Sequence, residues 1–217
     1  MLAIVYSLSY RLFVRSILPL ASILFGALYL LQISGHISSQ VQYILSTYFL
    51  LAIISAFWIR AISQFLHPTN LELILVRPIS RPQILIAVIL SNLLVAIGSG
   101  VLPWALDSWW TNTQQWLLTL SLFALSIWAG VLYLLFRREG VVALLILPWI
   151  MFISPSLTAF SSSDLYSRVL LLFFPSPYEV LFISQKSLSH LLTEELLTTG
   201  LGLLALSLLF LKRKELV

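Results

Sequence analysis

Few side chains in this sequence have the type and spacing that metal binding or catalysis requires. The 217 residues include no cysteine, which excludes disulfides, thiolate metal sites and cysteine nucleophiles. The three histidines, His36, His67 and His190, are far apart in the chain and do not have the spacing of a set of metal ligands. We interpret each as a solvated loop histidine and expect no metal site in this chain.

Motifs of the common hydrolases and nucleotide-binding proteins are also absent from the sequence. The chain lacks the Gly-x-x-x-x-Gly-Lys-Ser/Thr loop that cradles ATP phosphates, and it lacks His-Glu-x-x-His and Gly-x-Ser-x-Gly. Its apolar segments contain almost no ionisable residues away from their ends, where ion-coupled transporters and intramembrane hydrolases place them. We therefore predict that the chain is not an enzyme and binds no nucleotide itself.

The composition is that of an integral membrane protein. Hydrophobic residues make up 60% of the chain and charged residues only 9%, whereas an average soluble domain carries about 25% charged residues. So few charges cannot cover a water-facing surface, and intrinsic disorder requires the opposite composition. We treat residues 1–217 as a single transmembrane domain.

Six apolar runs are long enough to cross a bilayer as helices, which takes about 20 residues each. They are Ser16–Ile33, Val41–Ile59, Ile84–Leu102, Trp116–Phe136, Val141–Phe160 and Leu191–Leu211. A cleaved signal peptide is the alternative for the first run, but residues 34–39 offer no good cleavage site. Because the last run starts with Glu194 and Glu195, we expect its buried part to begin after them.

The basic residues give the chain an orientation. With six spans, ten of the twelve lysines and arginines fall on one side of the membrane, and only Arg168 and Lys186 fall on the other. Lysine and arginine favour the cytoplasmic side, so we predict a multi-pass protein of the cytoplasmic membrane with both termini in the cytoplasm. The basic residues form no stripe, and we expect no nucleic acid partner.

Two cytoplasmic segments outside the spans have patterns of their own. In the first 15 residues, Ser7, Arg11 and Arg15 share one helical stripe beside an apolar one, which predicts an amphipathic helix in the membrane interface. The alternative is that this segment is the frayed start of the first span. Between the second and third spans, Pro68 and Pro78 bracket a short predicted helix, and Pro82 falls in the first turn of the third span.

The run from Asn70 to Leu85 resembles the loop between helices two and three of ABC type-2 exporter permeases. In that family the loop forms a coupling helix that docks on a separate ATPase subunit. The family often has a lysine or arginine further into helix three, where this chain has Ile86–Ser91. The resemblance implies that the contact with the ATPase is made by Asn70, Leu71, Glu72, Leu75, Arg77, Pro78 and Arg81.

The same resemblance implies the partners and the transport route. Two ATPase subunits would bind ATP and Mg²⁺, and a second permease chain, identical or related, would complete the membrane part. Helices two and five line the route in the family, which points to Tyr43, Tyr48, Phe152, Ser154 and Thr158. The outer segment before the sixth span would hold re-entrant helices with a gate at Pro175, Pro177 and Glu179, the alternative being an ordinary outer loop.

The expected function is therefore ATP-driven export of an amphipathic or lipid-like substrate or a peptide. Residues 139–148 also resemble the fifth span of the haem-exporter permease of cytochrome c maturation, which is one alternative. A non-transporting membrane assembly protein is another. Pro148 and Pro155 are predicted to kink the fifth span.

Overall fold

A computed structural model describes residues 18–36, 38, 80–106, 112–149, 153 and 188–212. This part of the chain is entirely helical, which confirms the all-α class for the residues described. The five helices are α1 (Leu18–Ile33), α2 (Arg81–Leu106), α3 (Asn112–Phe136), α4 (Glu139–Pro148) and α5 (Leu188–Lys212).

The helices coincide with the predicted spans wherever the chain is described. α1, α2, α3 and α5 correspond to the first, third, fourth and sixth apolar runs, and α4 to the first half of the fifth. Two of them, α3 and α5, contain stretches long and apolar enough to cross a membrane, Trp116–Phe136 and Leu191–Lys212. The predicted second span, the amphipathic N-terminus and the outer segment 161–187 lie outside the described residues.

α1 ends where the sequence supplies a glycine. Gly35 has φ +75°, a left-handed conformation in which a residue without Cβ is unstrained. The N–H of Gly35 donates to the carbonyl of Gln32 and the N–H of His36 to that of Leu31, both at 3.0 Å, which is a Schellman motif. His36 therefore lies just past the helix and is exposed, as a loop histidine should be. His190 does not fit that interpretation, because it is the third residue of α5.

α2 begins at a capped first turn. Ser80 precedes the helix, and its backbone N–H donates to Oε1 of Gln83 at 2.9 Å, which is one half of a capping box. Its carbonyl accepts the first helical bond, from the N–H of Ile84. Pro82 lies in this first turn, where a missing N–H costs nothing, and its predicted position is confirmed.

α3 and α4 are joined by two residues, Arg137 and Arg138. Arg137 is left-handed, with φ 54°, and its N–H donates to the carbonyl of Tyr133 at 2.8 Å to close α3. Arg138 is extended, with φ −131° and ψ 116°, and caps the start of α4. Both side chains are exposed. The link reverses the chain at the cost of one strained non-glycine residue.

The strain at Arg137 yields a testable prediction. A β-branched residue tolerates positive φ poorly, so Arg137→Val should lower the free energy of unfolding by about 1–2 kcal/mol. Arg138→Val removes the same charge at an extended residue and serves as the matched control, with little expected effect. Thermal unfolding of the two purified variants, followed by tryptophan fluorescence, makes the comparison. Equal melting temperatures would contradict the left-handed turn at Arg137.

α3 is the central helix of the described bundle. It packs along α5 and α2 and makes a smaller contact with α4, while α2 and α5 meet over a shorter length. In the apolar stretch of α3, 89% of the residues are buried, against 33% in that of α5. α1 differs again, because Leu28 is buried while most other large side chains of that helix are exposed.

α4 ends at the first proline of the fifth predicted span. Pro148 has no N–H, so it cannot bond to the carbonyl of Leu144. The N–H of Trp149 reaches the carbonyls of both Leu145 and Ile146, and the backbone is π-helical at Trp149 and at Ile153. Residues 150–152 lie outside the described residues, and the predicted kink at Pro148 stays a prediction. Pro155 lies outside the described residues.

Candidate functional site

Only one of the predicted site residues lies in the part of the chain that the structure describes. Arg81 is the first residue of α2, directly after the cap at Ser80. The predicted coupling, route and gate residues outside the described residues are Asn70, Leu71, Glu72, Leu75, Arg77, Pro78, Tyr43, Tyr48, Phe152, Ser154, Thr158, Pro175, Pro177 and Glu179. Their roles remain predictions from the sequence.

The described helices instead bring a different set of polar residues into the interior, which we call the buried polar face. It is formed by residues of α2, α3 and α5 whose side chains are at most 8% exposed. Its members are Ser91, Asn92, Thr119, Ser121, Ser126, Glu195, Thr198 and Thr199. A helix interior with this many hydrogen-bonding groups is able to contact polar ligands or to fix helix positions.

Several polar residues of α5 are buried on one side of the helix, and exposed leucines lie on the other. Leu191, Glu195, Thr198, Gly202 and Leu206 follow the i, i+4, i+7, i+11, i+15 spacing of one helical stripe, and all are buried. The opposite side exposes seven leucines to between 43% and 60%. They are Leu192, Leu196, Leu197, Leu201, Leu204, Leu208 and Leu211. A helix of a water-soluble protein shows the reverse arrangement.

α3 and α5 approach each other closely at Gly202. A Cβ on Gly202 would lie 3.1 Å from both Cγ2 of Ile127 and Nε1 of Trp128, so only a glycine fits without displacing these side chains. Nε1 of Trp128 donates to the backbone carbonyl of Thr198 at 3.2 Å, one turn earlier on α5. Close backbone approach through a small residue, reinforced by a hydrogen bond, is typical of helix pairs in membranes.

Several buried hydroxyl groups donate to the backbone of their own helix. The hydroxyl of Thr198 donates to the carbonyl of Glu194 at 2.8 Å, and that of Thr199 to the carbonyl of Glu195 at 2.7 Å. In α3, the hydroxyl of Ser126 donates to the carbonyl of Phe123 at 2.6 Å. These local bonds are the ordinary solution for serine and threonine within an apolar helix.

Ser121 is an exception to this pattern. Its side chain is 0% exposed, and its hydroxyl oxygen has no hydrogen-bond partner in the part of the chain that the structure describes. An unmade bond at a buried polar group costs about 1–3 kcal/mol, and such groups in native proteins call for an explanation. Four other hydroxyl groups of α3 and α5 bond to a carbonyl one turn earlier on their own helix. A position within a helix therefore does not prevent a hydroxyl group from making such a bond, and Ser121 lacks one for another reason.

Glu195 is the buried ionisable residue of this face. It is 7% exposed, while the neighbouring Glu194 is half-buried. Leu191 is buried against protein as well, so the packed side of α5 begins before the acidic pair, in a helix that starts at Leu188. The spacing of Glu195, Thr198 and Gly202 carried this signal in the sequence. The expectation that the membrane-buried part begins after Glu195 stays a prediction.

The chemistry available to the buried polar face is hydrogen bonding. Among the described residues, no group of three histidine, cysteine or acidic side chains is arranged to hold a metal ion. The chain matches no model of a known protein family, and no curated protein or solved structure is significantly similar to it. The interpretation of this face therefore rests on the chemistry of its own residues.

Proposed function

We propose that the chain is the membrane-spanning permease subunit of an ATP-driven exporter. It would move an amphipathic or lipid-like substrate, or a peptide, across the cytoplasmic membrane. ATP would be hydrolysed by a pair of separate ATPase subunits, and a second permease chain would complete the path. The proposal has two parts, and each has its own support. The first is that the chain lies in a membrane, and the second is that it is coupled to separate ATPase subunits.

The membrane location is supported above all by the arrangement of α5. Its exposed leucines would be costly in water, whereas lipid chains solvate them, and Thr198, Thr199 and Glu195 face protein. α2 follows the same arrangement, with Ser91 and Asn92 buried and Leu94 exposed. This single observation, polar residues inside and apolar residues outside, carries the proposal that the helices lie in a bilayer.

The positions of the basic residues favour the six-span topology. Arg137 and Arg138 are exposed at the end of α3, and Lys212 is exposed in the last turn of α5. Placing all three in the cytoplasm obeys the positive-inside rule and makes α3 and α5 run in the same direction through the membrane. The same topology puts residues 70–78 on the cytoplasmic side, where an ATPase can reach them.

Coupling would pass through the start of α2. The proposed docking segment, residues 70–78, ends two residues before the cap at Ser80, so a displacement of the segment would act directly on a capped helix end. α2 packs along α3, the central helix of the described bundle. A movement caused by closure of the ATPase pair could thus reach the interior through one rigid element. The energy for it would come from the different affinities of the ATPase for two conformations of the permease.

The coupling step is tested by changing the docking segment. We expect Glu72→Ala and Arg77→Ala to weaken association with the ATPase at least tenfold, because each removes a charged contact at the interface. The measurement is co-purification of an ATPase subunit with the tagged full chain from its native membrane. Arg138→Ala, which removes an exposed arginine outside the docking segment, is the control. Undiminished ATPase association and transport in both docking variants would refute the coupling role. A chain that carries no ATPase at all would favour the assembly-protein alternative.

A further inference from the structure

The unsatisfied hydroxyl of Ser121 points to a second conformation of the helix bundle. In a bilayer, water cannot reach a buried polar atom from the lipid side, so its partner must come from the protein or from a polar path. Ser126, five residues later on the same helix and 1% exposed, takes its partner from the backbone. Ser121 does not use this option, although the carbonyls of the preceding turn are available to any serine in a helix.

The position of Ser121 on α3 identifies the face concerned. Ser121 and Trp128 are separated by seven residues, which places them on the same stripe of the helix, about 10 Å apart along its axis. Trp128 contacts Thr198 and Gly202, so this stripe of α3 is the one that lies toward α5. Ser126 lies on a different side of α3, since five residues correspond to about 140° of rotation.

The contact at Gly202 is compatible with a second conformation in which α3 and α5 are further apart near Ser121. Trp128, Thr198 and Gly202 fix the two helices at one level, two helical turns away from Ser121. A splaying of α3 and α5 about this level would open the face at Ser121 without breaking the contact itself. In the proposed topology α3 and α5 are parallel, so Ser121 and Glu195 both lie on the outer side of the contact.

We propose that the face of α3 carrying Ser121 lines the transport path in a conformation in which the outer ends of α3 and α5 separate. There the hydroxyl of Ser121 binds the polar head of an amphiphilic substrate, and water when the substrate is absent. The structure would then represent the closed state of this path. The inference rests on the proposed function and adds to it a residue of the fourth span that contacts the substrate.

Single cysteines test this proposal, because the chain contains none of its own. Ser121→Cys and Ser126→Cys are each made in the full chain and exposed in native membrane vesicles to a membrane-impermeant cationic methanethiosulfonate. We expect Cys at position 121 to react at least tenfold faster than at 126, although both are buried in this structure. Ser34→Cys, at an exposed position after α1, verifies that the reagent is active. Equal, slow reaction at 121 and 126 would overturn the proposal.

A second variant tests the proposal independently, in case the cysteine variants misfold. Ser121→Ala removes the unsatisfied hydroxyl, so it should unfold at the same temperature as the wild type or at a higher one. A clearly lower melting temperature would show that the hydroxyl is satisfied in the folded protein and would also overturn the proposal. Neither measurement needs an ATPase. Fast labelling of the Ser121→Cys variant in a chain that carries no ATPase would therefore refute the exporter and keep the polar path. Slow labelling of the same variant in a chain that does carry an ATPase would refute the path alone.

Discussion

Leu204→Arg is expected to reduce the accumulation of folded protein severely. Leu204 is 60% exposed, near the middle of the 191–212 stretch, on the side of α5 that we place in lipid. An arginine at the centre of a membrane-spanning helix costs about 2.5–3.5 kcal/mol on insertion scales. A loss of that size is a large part of the stability of a typical protein and changes its abundance several-fold or more. The amount of protein in washed membranes and its melting temperature in detergent are the measurements.

The control for this prediction is an arginine placed at the end of the helix and not at its centre. Leu211→Arg makes the same substitution on the exposed side, next to Lys212 at the end of the helix, where the long side chain can reach the interface. We expect it to accumulate almost normally. In a water-soluble protein both variants would be tolerated, since each replaces an exposed leucine by a charged residue. Equal accumulation of the two variants would therefore contradict the membrane location of α5.

Gly202→Leu is expected to disrupt the pairing of α3 and α5. Any side chain on Gly202 must push against Ile127 and Trp128, whose atoms lie 3.1 Å from the position of a Cβ. Because the displaced Trp128 would also lose its hydrogen bond to the Thr198 carbonyl, overpacking and bond loss act together. Overpacking alone typically costs about 1–3 kcal/mol. The free energy of unfolding should fall by at least this amount, measured by denaturant titration with tryptophan fluorescence as the signal.

A second glycine of α5 provides the matched control. Gly200 is exposed, and apart from its chain neighbours and the nearby backbone of α5, no described atom lies within 4 Å of the position of a Cβ there. Gly200→Leu places the same side chain on the same helix in open space and should leave the stability nearly unchanged. A similar loss of stability in both variants would mean that leucine disturbs α5 in general, and the close approach at Gly202 would not be supported.

The apolar helices could be predicted from the sequence because their length is set by a simple physical requirement. The predicted run Trp116–Phe136 has the same bounds as the apolar stretch of α3, and the predicted run from Leu191 ends within one residue of that of α5. Local chemistry also placed the start of α2, since Pro82 is favourable only in a first turn. The length of a helix and the positions of its ends depend on residues that are close together in the chain, so they can be predicted from the sequence alone.

The direction that each helix faces could not be predicted in the same way. The polar residues of α5 lie both inside the bundle, as Glu195 does, and at its surface, as Thr193 does, so polarity alone does not mark the surface. The packed side depends on residues far away in the chain. Ser121 and Glu195 were missed for this reason. The packing of Gly202 depends on Ile127 and Trp128, which belong to another helix. The predicted coupling and gate residues lie outside the described residues and remain predictions.

The central position of α3 constrains the order in which this protein is assembled during synthesis. α3 leaves the ribosome well before α5, yet α5 supplies one of its two longest contacts. Until α5 has been made, the side of α3 that carries Ser121 and Trp128 lacks this partner. If α3 lies in the bilayer, as we propose, the N–H of Trp128 would then lack the Thr198 carbonyl that accepts its hydrogen bond, and quality-control proteases would have a feature by which to recognise the unfinished molecule.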